Sequence, residues 1–376
     1  MKPLNQRDST ALVPSPRPSI LKIAPYVGGK SGIEGHANPI KLSSNETPFG
    51  PSPAAVAAYR EASAGLERYP DGHATRLKQA IATRYGLDEA RIVVGAGSDE
   101  ILQLVAHAFL EPGDEVIFSA HTFLIYRIVS LANGAVLCPV PEKDWCADIE
   151  AMIGAITPRT RMVFLANPDN PTGTAVGAEA VARLHAALPG NAILILDGAY
   201  AEYVTRPDYP DAFALASAHE NIVATRTFSK VHGLATLRVG WALAGAVVCD
   251  AINRIRGPFN VPGPAQVAAI AALSDRAFEA QAVAHNTAWR TQMTDALSGF
   301  GFPVIPSEAN FVMLDLSGRP HGFDGAAAEQ ALLAWGIIVR RLAGQGLPDA
   351  LRISIGLEPA NQAVLEAFKA MQGGAR

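Results

Sequence analysis

Residues 192–197 read Ala-Ile-Leu-Ile-Leu-Asp, an uninterrupted apolar run that ends in a carboxylate. Similar short runs, rich in Ile, Val and Leu, recur at residues 92–94, 115–118, 161–166, 221–225 and 239–244. Strands that are apolar on both faces are typical of a mainly parallel sheet covered by helices. Because right-handed crossovers join such strands, the loops after their carboxyl ends gather at one edge. The pattern predicts an α/β fold with its functional site at that edge.

The pattern changes near residue 264, which predicts a second folding unit. A long alanine-rich helix is expected over residues 266–297, and fewer strands follow, at 311–314, 336–341 and 351–355, before a last helix at 359–371. We therefore expect an N-terminal segment (residues 1–50), a large domain with a mainly parallel sheet flanked by helices (residues 51–264) and a smaller α+β C-terminal domain (residues 265–376).

Composition excludes several classes of protein. The chain has 376 residues, of which 49% are hydrophobic and only 18% charged, so it can bury a large core and is not a disordered protein. A net charge of −4 disfavours nucleic acid or anionic membranes as partners. Apolar runs are too short to span a bilayer. Three cysteines without a Cys-x-x-Cys pair, and scattered histidines, predict a cytoplasmic protein with neither a disulfide framework nor a metal site.

Two of the loops that follow predicted strands could bind or orient a ligand. The segment Gly97-Ser98-Asp99 enters a helix, whose free N–H groups suit a phosphate, although on its own it also fits an ordinary helix start. Asn170 lies in the loop Asn-Pro-Asp-Asn-Pro-Thr-Gly at residues 167–173. Its two prolines predict a rigid turn that could aim the Asn170 amide at a ligand.

The other two loops carry a carboxylate and an amine. Asp197 ends a buried strand, where a carboxylate is costly unless a cation meets it. A helix cap or a structural ion pair would explain it, and so would a protonated ring nitrogen. Lys230 follows another apolar strand, with Thr227 and Ser229 before it and Arg238 eight residues later. A lone lysine is usually a surface charge, but one held in such a site can form a Schiff base. Together the four loops supply the parts that a pyridoxal phosphate enzyme needs.

With these residues the chain resembles the fold-type-I, pyridoxal-phosphate-dependent aminotransferases, and among them the histidinol-phosphate aminotransferase family. Asn-Pro-x-Asn-Pro-Thr-Gly and Ser-Lys mark the superfamily, while Ser-Asn-Glu, Arg-Tyr-Pro-Asp-Gly and Gly-Ser-Asp-Glu mark the family. The matching segments are residues 23–26, 42–50, 68–72, 97–100, 167–174, 197–203, 229–230, 258–261, 310–311 and 351–354.

The resemblance implies a role for each cofactor-binding residue. Lys230 would form the Schiff base and shuttle the proton, while Asp197 would keep the pyridine nitrogen protonated. Asn170 and Tyr200 would bind the phenolic oxygen, and the ring of Phe123 would stack on the cofactor. The cofactor's phosphate would be held by Gly97, Ser98, Asp99, Thr227, Ser229 and Arg238. Tyr69 would reach the phosphate from the other subunit of a homodimer with shared active sites.

Four residues are predicted to bind substrate by the same resemblance. Arg352 matches the arginine that grips the acceptor's carboxylate or the donor's phosphate. Arg340, together with Tyr26, matches the extra phosphate contact of the family. Asn45 lies in the Ser-Asn-Glu segment.

The chain departs from the family at several positions, which leaves its substrate open. Phe123 stands where the family usually has Tyr, in a segment that reads His-Thr-Phe in place of Pro-Thr-Tyr, and Gly198, His232 and Thr236 replace Glu, Phe and Gly. The activity implied is amino transfer between L-histidinol phosphate and 2-oxoglutarate. The alternatives are an aromatic amino acid or dual-specificity aminotransferase, a phosphothreonine decarboxylase, and a non-enzymatic binding module.

Overall fold

The computed structural model describes residues 14–25, 28–30 and 32–373. Its strands are β1 (Ile40–Lys41), β2 (Ile92–Gly95), β3 (Glu115–Ser119), β4 (Val136–Val140), β5 (Thr160–Ala166), β6 (Ile193–Asp197), β7 (Ile222–Thr227), β8 (Gly240–Leu243), β9 (Val304–Ile305), β10 (Phe311–Asp315), β11 (Ile337–Ile338), β12 (Arg340–Leu342) and β13 (Leu347–Ser354). Its α-helices are α1 (Pro53–Ala62), α2 (Thr75–Tyr85), α3 (Ser98–Phe109), α4 (Leu124–Ala132), α5 (Ile149–Gly154), α6 (Ala178–Ala187), α7 (Ala212–Ala218), α8 (Ala246–Ile255), α9 (Gly263–Ser274), α10 (Arg276–Gly299), α11 (Gly325–Ala334) and α12 (Glu358–Gly373).

The large sheet has seven strands in the order β2-β8-β7-β6-β5-β3-β4. Only β8 runs antiparallel to its neighbours, so the prediction of a mainly parallel α/β sheet is confirmed. Strand β4 was not predicted. It is an edge strand whose apolar run, Val-Leu-Cys-Pro-Val, is interrupted by Pro139, a residue that argues against a central strand, and most of its residues are partly or fully exposed.

Both faces of the large sheet are covered, which explains the uninterrupted apolar runs. Along β6, Leu194 and Leu196 belong to one buried cluster, while Ile193 and Ile195 belong to the cluster on the opposite face. Because successive side chains of a strand point to opposite faces, a strand buried on both sides must be apolar at every position. Because β5, β6 and β7 run parallel, their carboxyl ends lie at the same edge of the sheet.

A second, antiparallel sheet of four strands, in the order β12-β13-β10-β9, lies in the C-terminal part of the chain. It has a core of its own, in which Leu297, Phe302 and Phe368 are fully buried. Strand β1 pairs in parallel with β11, so the N-terminal segment joins this part of the molecule. This pairing brings residues 42–45, which follow β1, to the edge of the large sheet.

The single helix predicted over residues 266–297 is wrong, because the chain forms two helices there. Helix α9 ends at Ser274 and α10 begins at Arg276. Between them Asp275 leaves the helical conformation and its carboxylate accepts a hydrogen bond from the Phe278 amide at 3.2 Å. An aspartate at this position caps the second helix, which apolar periodicity alone does not reveal.

Candidate active site

A cavity opens at the carboxyl edge of the large sheet, between β5, β6, β7 and the start of α3. Most of the residues predicted to bind a cofactor line this cavity, namely Ser98, Asp99, Phe123, Asn170, Asp197, Tyr200, Thr227, Ser229, Lys230 and Arg238. They come from separate strand ends and loops, as the parallel arrangement requires.

Asp197 is a buried carboxylate that lines the cavity. Its two carboxylate oxygens accept hydrogen bonds from the Tyr126 hydroxyl at 2.7 Å and the Thr225 hydroxyl at 2.9 Å. No basic side chain of the described residues forms an ion pair with it. Burial raises the pKa of Asp197, and the two hydroxyl donors and the Ala199 amide oppose that rise. The site thus presents a buried, oriented acid that is suited to a cationic partner from a ligand.

The start of α3 and Arg238 build an anion cradle in the same cavity. The Arg238 guanidinium donates to Ser229 Oγ at 3.1 Å and to the Asp99 carboxylate at 3.2 Å. Gly97 has a φ of 86°, and a Cβ there would lie 2.3 Å from Arg238 Nη2. Gly97 is therefore needed both for its backbone conformation and for the close approach of the guanidinium. Free N–H groups at the start of a 12-residue helix and a nearby arginine suit a phosphate.

Lys230 reaches the middle of the cavity from the loop after β7. Its amine donates to the Ser44 carbonyl at 3.3 Å and lies 5.5 Å from the centroid of the Tyr200 ring. It faces no carboxylate ion-pair partner among the residues that the structure describes. The amine is thus held by neutral groups, within the same cavity as Asp197.

A second cavity adjoins the first and forms its outer rim. Asn45, Arg340 and Arg352 line it together with Lys230 and Tyr200. Arg352 Nη1 donates to the Asn170 side-chain oxygen, and Nη2 donates to the Ser43 carbonyl at 2.9 Å. The rim therefore joins the N-terminal segment, the C-terminal sheet and the Asn170 loop.

Two of the predicted residues that the structure describes, Gly97 and Tyr69, line neither cavity. The Tyr69 side chain is 83% exposed and its ring stacks on Phe259, with centroids 4.7 Å apart. Tyr26 lies outside the described residues, so its predicted contact has no structural counterpart here.

Sequence reasoning missed the residues that hold Asp197. Tyr126 is fully buried, and burial together with the nearby Asp197 carboxylate raises its pKa well above the ordinary value. Its signal was its position close after Phe123: Phe123 directly precedes α4, Tyr126 lies in the first turn of α4, and the two rings meet edge to face with centroids 5.8 Å apart. Thr225, on β7, pairs directly with Asp197 across the sheet, a register that only the assembled sheet reveals.

The loop that carries Phe123 is also fixed by residues that were not predicted. The Thr122 hydroxyl donates to the carboxylate of Asp169, the residue before Asn170. Asp169 is buried, and this burial raises its pKa to about 6. Glu142 accepts from the His121 amide at 2.8 Å and contacts the His121 ring at 2.8 Å. The proline that the family usually carries at position 121 has no amide hydrogen for this contact.

The family model for aminotransferase class I and II matches residues 37–368. A histidinol-phosphate aminotransferase of Rhodopseudomonas palustris (strain TIE-1) is 50% identical over 361 residues, which cover 96% of this chain and 99% of that protein. The enzyme of the same name from Nitrobacter hamburgensis is 48% identical over 357 residues, covering 95% and 98%.

A solved structure is similar over nearly the whole chain. The histidinol-phosphate aminotransferase of Sinorhizobium meliloti, in complex with pyridoxal-5'-phosphate, superposes with a TM-score of 0.88 at 29% sequence identity, covering 97% of this chain and 100% of that one. The sheet order, the family match and these relatives agree. The chain belongs to the class I and II aminotransferases of fold type I, within the histidinol-phosphate aminotransferase family.

Proposed function

We propose that this protein is a pyridoxal-phosphate-dependent aminotransferase that moves an amino group between L-histidinol phosphate and 2-oxoglutarate. The observation that carries the proposal is the placement of Arg340 and Arg352 in the cavity that Lys230 also lines. A phosphate dianion is bound well by two guanidinium groups, whereas an uncharged aromatic side chain gains nothing from the second. The relatives at about half identity bear the corresponding name.

The residues of the inner cavity fit the cofactor. When bound, pyridoxal 5'-phosphate supplies an aldehyde for a lysine amine and a ring that accepts electrons from the substrate's α-carbon. Asp197 is a buried acid whose oxygens are held by Tyr126 and Thr225, and it would hold a proton on the pyridine nitrogen. The same cavity offers Arg238 and the start of α3 for the phosphate.

Each of the other predicted residues has a task that its position allows. The Lys230 amine would bind the cofactor and then move a proton from the substrate's α-carbon. Asn170 and Tyr200 would donate to the phenolic oxygen, and Phe123 would cover one face of the ring. Thr227, Ser229 and the Gly97-Ser98-Asp99 segment would complete the phosphate site. On the rim, Asn45 and Arg352, and Arg340 with Tyr26, would bind the substrate.

We also propose a homodimer in which Tyr69 serves the partner's site. Exposed apolar side chains support it, because Tyr59, Leu66 and Tyr69 are 43%, 68% and 83% exposed and Phe259 beneath Tyr69 is 42% exposed. Contiguous exposed apolar surface, such as the stacked rings of Tyr69 and Phe259, commonly marks an interface. Co-assembling a Lys230→Ala chain with a Tyr69→Ala chain tests this, since mixed dimers would regain one intact site; activity no higher than in either parent would contradict it.

Two further predictions, the domain division and the location of the protein, remain as proposals of the same kind. The division into a large and a smaller domain, with boundaries predicted at residues 50 and 264, is supported by the separate cores of the two sheets. The position of the second boundary is not supported, because α9, which begins there, packs on α1 and α2 and shares the core of the large sheet. A cytoplasmic location is supported by the three free cysteines. No helix in the described part of the chain is long and apolar enough to cross a membrane.

An aromatic or dual-specificity aminotransferase is the second candidate, and one observation favours it. A further cavity next to Arg340 is lined largely by apolar side chains, including Ile23, Leu124, Ile128 and Leu131. Such a surface could accept an aromatic ring.

A half-reaction experiment separates the two candidates. The holoenzyme is mixed with L-histidinol phosphate or with L-phenylalanine, and loss of the cofactor's visible absorbance is followed against donor concentration. We expect much faster loss at low histidinol phosphate. Comparable or faster loss with phenylalanine would contradict the proposal, and release of carbon dioxide without consumption of 2-oxoglutarate would indicate a decarboxylase.

A further inference from the structure

Asn45 has an unusual backbone conformation that residues of the C-terminal part hold in place. Its φ of 57° lies in the left-handed region, which asparagine tolerates better than most residues. Its amide donates to Ser354 Oγ at 2.8 Å, and its carbonyl accepts from Asn310 Nδ2 at 2.9 Å. The residue is almost completely buried. A strained, buried residue with both backbone groups satisfied is fixed in one orientation.

The Asn45 side chain is fixed as well, and its amide can be oriented from its partners. Nδ2 donates to the Tyr200 hydroxyl at 2.9 Å, while Oδ1 lies 3.1 Å from Ser354 Oγ. Because Ser354 Oγ already accepts the Asn45 backbone N–H, its own hydrogen is directed to Oδ1. The nitrogen of the amide therefore faces Tyr200.

This arrangement decides what the Tyr200 hydroxyl can do. A phenol has one hydrogen to donate, and here the oxygen accepts from Asn45, so that hydrogen remains for a second partner. The Tyr200 ring is held edge-on against Phe311, with centroids 5.3 Å apart, and lines the same cavity as Lys230 and Asp197. Asn45 is the one hydrogen-bond partner of the Tyr200 hydroxyl among the described residues, so the hydroxyl hydrogen is available to a ligand in the site.

We infer that Asn45 is a positioning residue that makes the Tyr200 hydroxyl a hydrogen-bond donor to the cofactor's phenolic oxygen. This role rests on the proposed function and is separate from the substrate contact predicted for Asn45. A donor at that oxygen stabilises its negative charge and lowers its affinity for a proton. Losing Asn45 lets the Tyr200 hydroxyl turn away, so the proton affinity at the cofactor rises.

The test is the pH midpoint of the visible absorbance change of the holoenzyme, measured without substrate. Asn45→Gly tolerates the positive φ and removes only the side chain. We expect Tyr200→Phe to raise the midpoint by roughly 0.5 to 1 pH unit, the size of one hydrogen bond, and Asn45→Gly to raise it by part of that. In the Tyr200→Phe background, Asn45→Gly should add nothing.

The other charged groups near Tyr200 do not change in this comparison. The charged and titratable residues that line a cavity together with Tyr200 are present in every variant, namely Asp99, Tyr126, Asp197, Lys230 and Arg238 in the inner cavity and Arg340 and Arg352 on the rim. Asn45→Asp is the second variant if Asn45→Gly does not fold. The carboxylate that this change introduces can only accept hydrogen bonds, so it would take the hydrogen of the Tyr200 hydroxyl away from the cofactor. The pH midpoint of this variant should therefore rise at least as far as that of Tyr200→Phe.

The possible results are distinct. An unchanged or lowered midpoint in the Asn45 variants, or a rise from Asn45→Gly that persists without the Tyr200 hydroxyl, would overturn the inference and leave the aminotransferase proposal intact. A wild-type protein that takes up no pyridoxal phosphate would overturn both.

Discussion

The floor and the rim of the candidate site are built in different ways. The floor, which we define as Asp197, Lys230 and the Gly97 loop, stands on the strand ends of a single sheet, and the Asp197 contact with Thr225 spans only 28 residues of chain. The rim, defined as Asn45, Arg340 and Arg352, joins the two ends of the chain, as in the Asn45 contact with Ser354 across 309 residues. The difference suggests that the floor sets the chemistry and the rim selects the substrate.

The largest effect is expected from Lys230→Ala, a floor change. Without the amine the site loses the base that we assign to the substrate's α-carbon, so turnover should fall on the order of 10⁴-fold with every donor. Single-turnover measurements with both histidinol phosphate and phenylalanine would show it. Lys143→Ala, an exposed lysine, is the control and should keep full activity. Near-normal turnover in Lys230→Ala would remove Lys230 from the mechanism.

Asp197→Asn should have the next largest effect. The amide cannot oppose the charge of a protonated ring nitrogen, so we expect kcat to fall roughly 10²- to 10³-fold for both donors. Thr225→Val, which removes one of the two hydroxyl donors to Asp197 and leaves the carboxylate, serves as the graded control and should cost about 10-fold. If Asp197→Asn retained wild-type kcat, the buried acid would have no role in the chemistry.

Arg340→Gln tests the rim and should affect one donor only. Loss of a charged contact to phosphate is expected to lower kcat/KM for histidinol phosphate roughly 10- to 100-fold and to leave phenylalanine within about twofold. Arg341→Gln is the matched control, because that guanidinium donates to the Pro348 carbonyl at 3.0 Å and does not line the cavity that Lys230 lines. Equal losses with both donors would show that Arg340 does not select for phosphate.

The smallest effect at neutral pH is expected from His232→Phe, a change at a buried residue two positions after Lys230. His232 is buried beside Phe228, and burial, with a smaller contribution from Arg84, lowers its pKa from 6.5 to about 4. The unfolded chain therefore binds the proton more readily, so stability is lost as the pH falls below about 6.5.

Denaturant unfolding at pH 7 and pH 5 measures this contribution. The loss on going to pH 5 should be about 2 kcal/mol smaller in His232→Phe than in the wild type. The difference between the two proteins isolates His232, because every other titrating group is common to both. Parallel pH profiles would contradict the buried, neutral state of His232.

The floor could be predicted from the sequence and the rim could not. Asp197 and Lys230 follow apolar strands directly, so strand pattern and loop chemistry point to them. The sequence around Arg340 and Asn45 does not mark them as site residues, because their environment is created by the pairing of β1 with β11 and by contacts with β13. Only the family resemblance pointed to these two residues. Tyr126 and Thr225 were missed because they act through Asp197, in a register set by packing. Edge strand β4 and the helix break at Asp275 were missed in the fold for a similar reason, because apolar periodicity alone does not reveal either of them.

The separation of floor from rim is tested most directly by a crossed comparison of kcat/KM ratios. The ratio for histidinol phosphate over phenylalanine is measured in the wild type, Asp197→Asn and Arg340→Gln. We predict that Asp197→Asn lowers both values and keeps the ratio, whereas Arg340→Gln reduces the ratio at least 10-fold. A ratio that changes in Asp197→Asn, or stays constant in Arg340→Gln, would contradict the account.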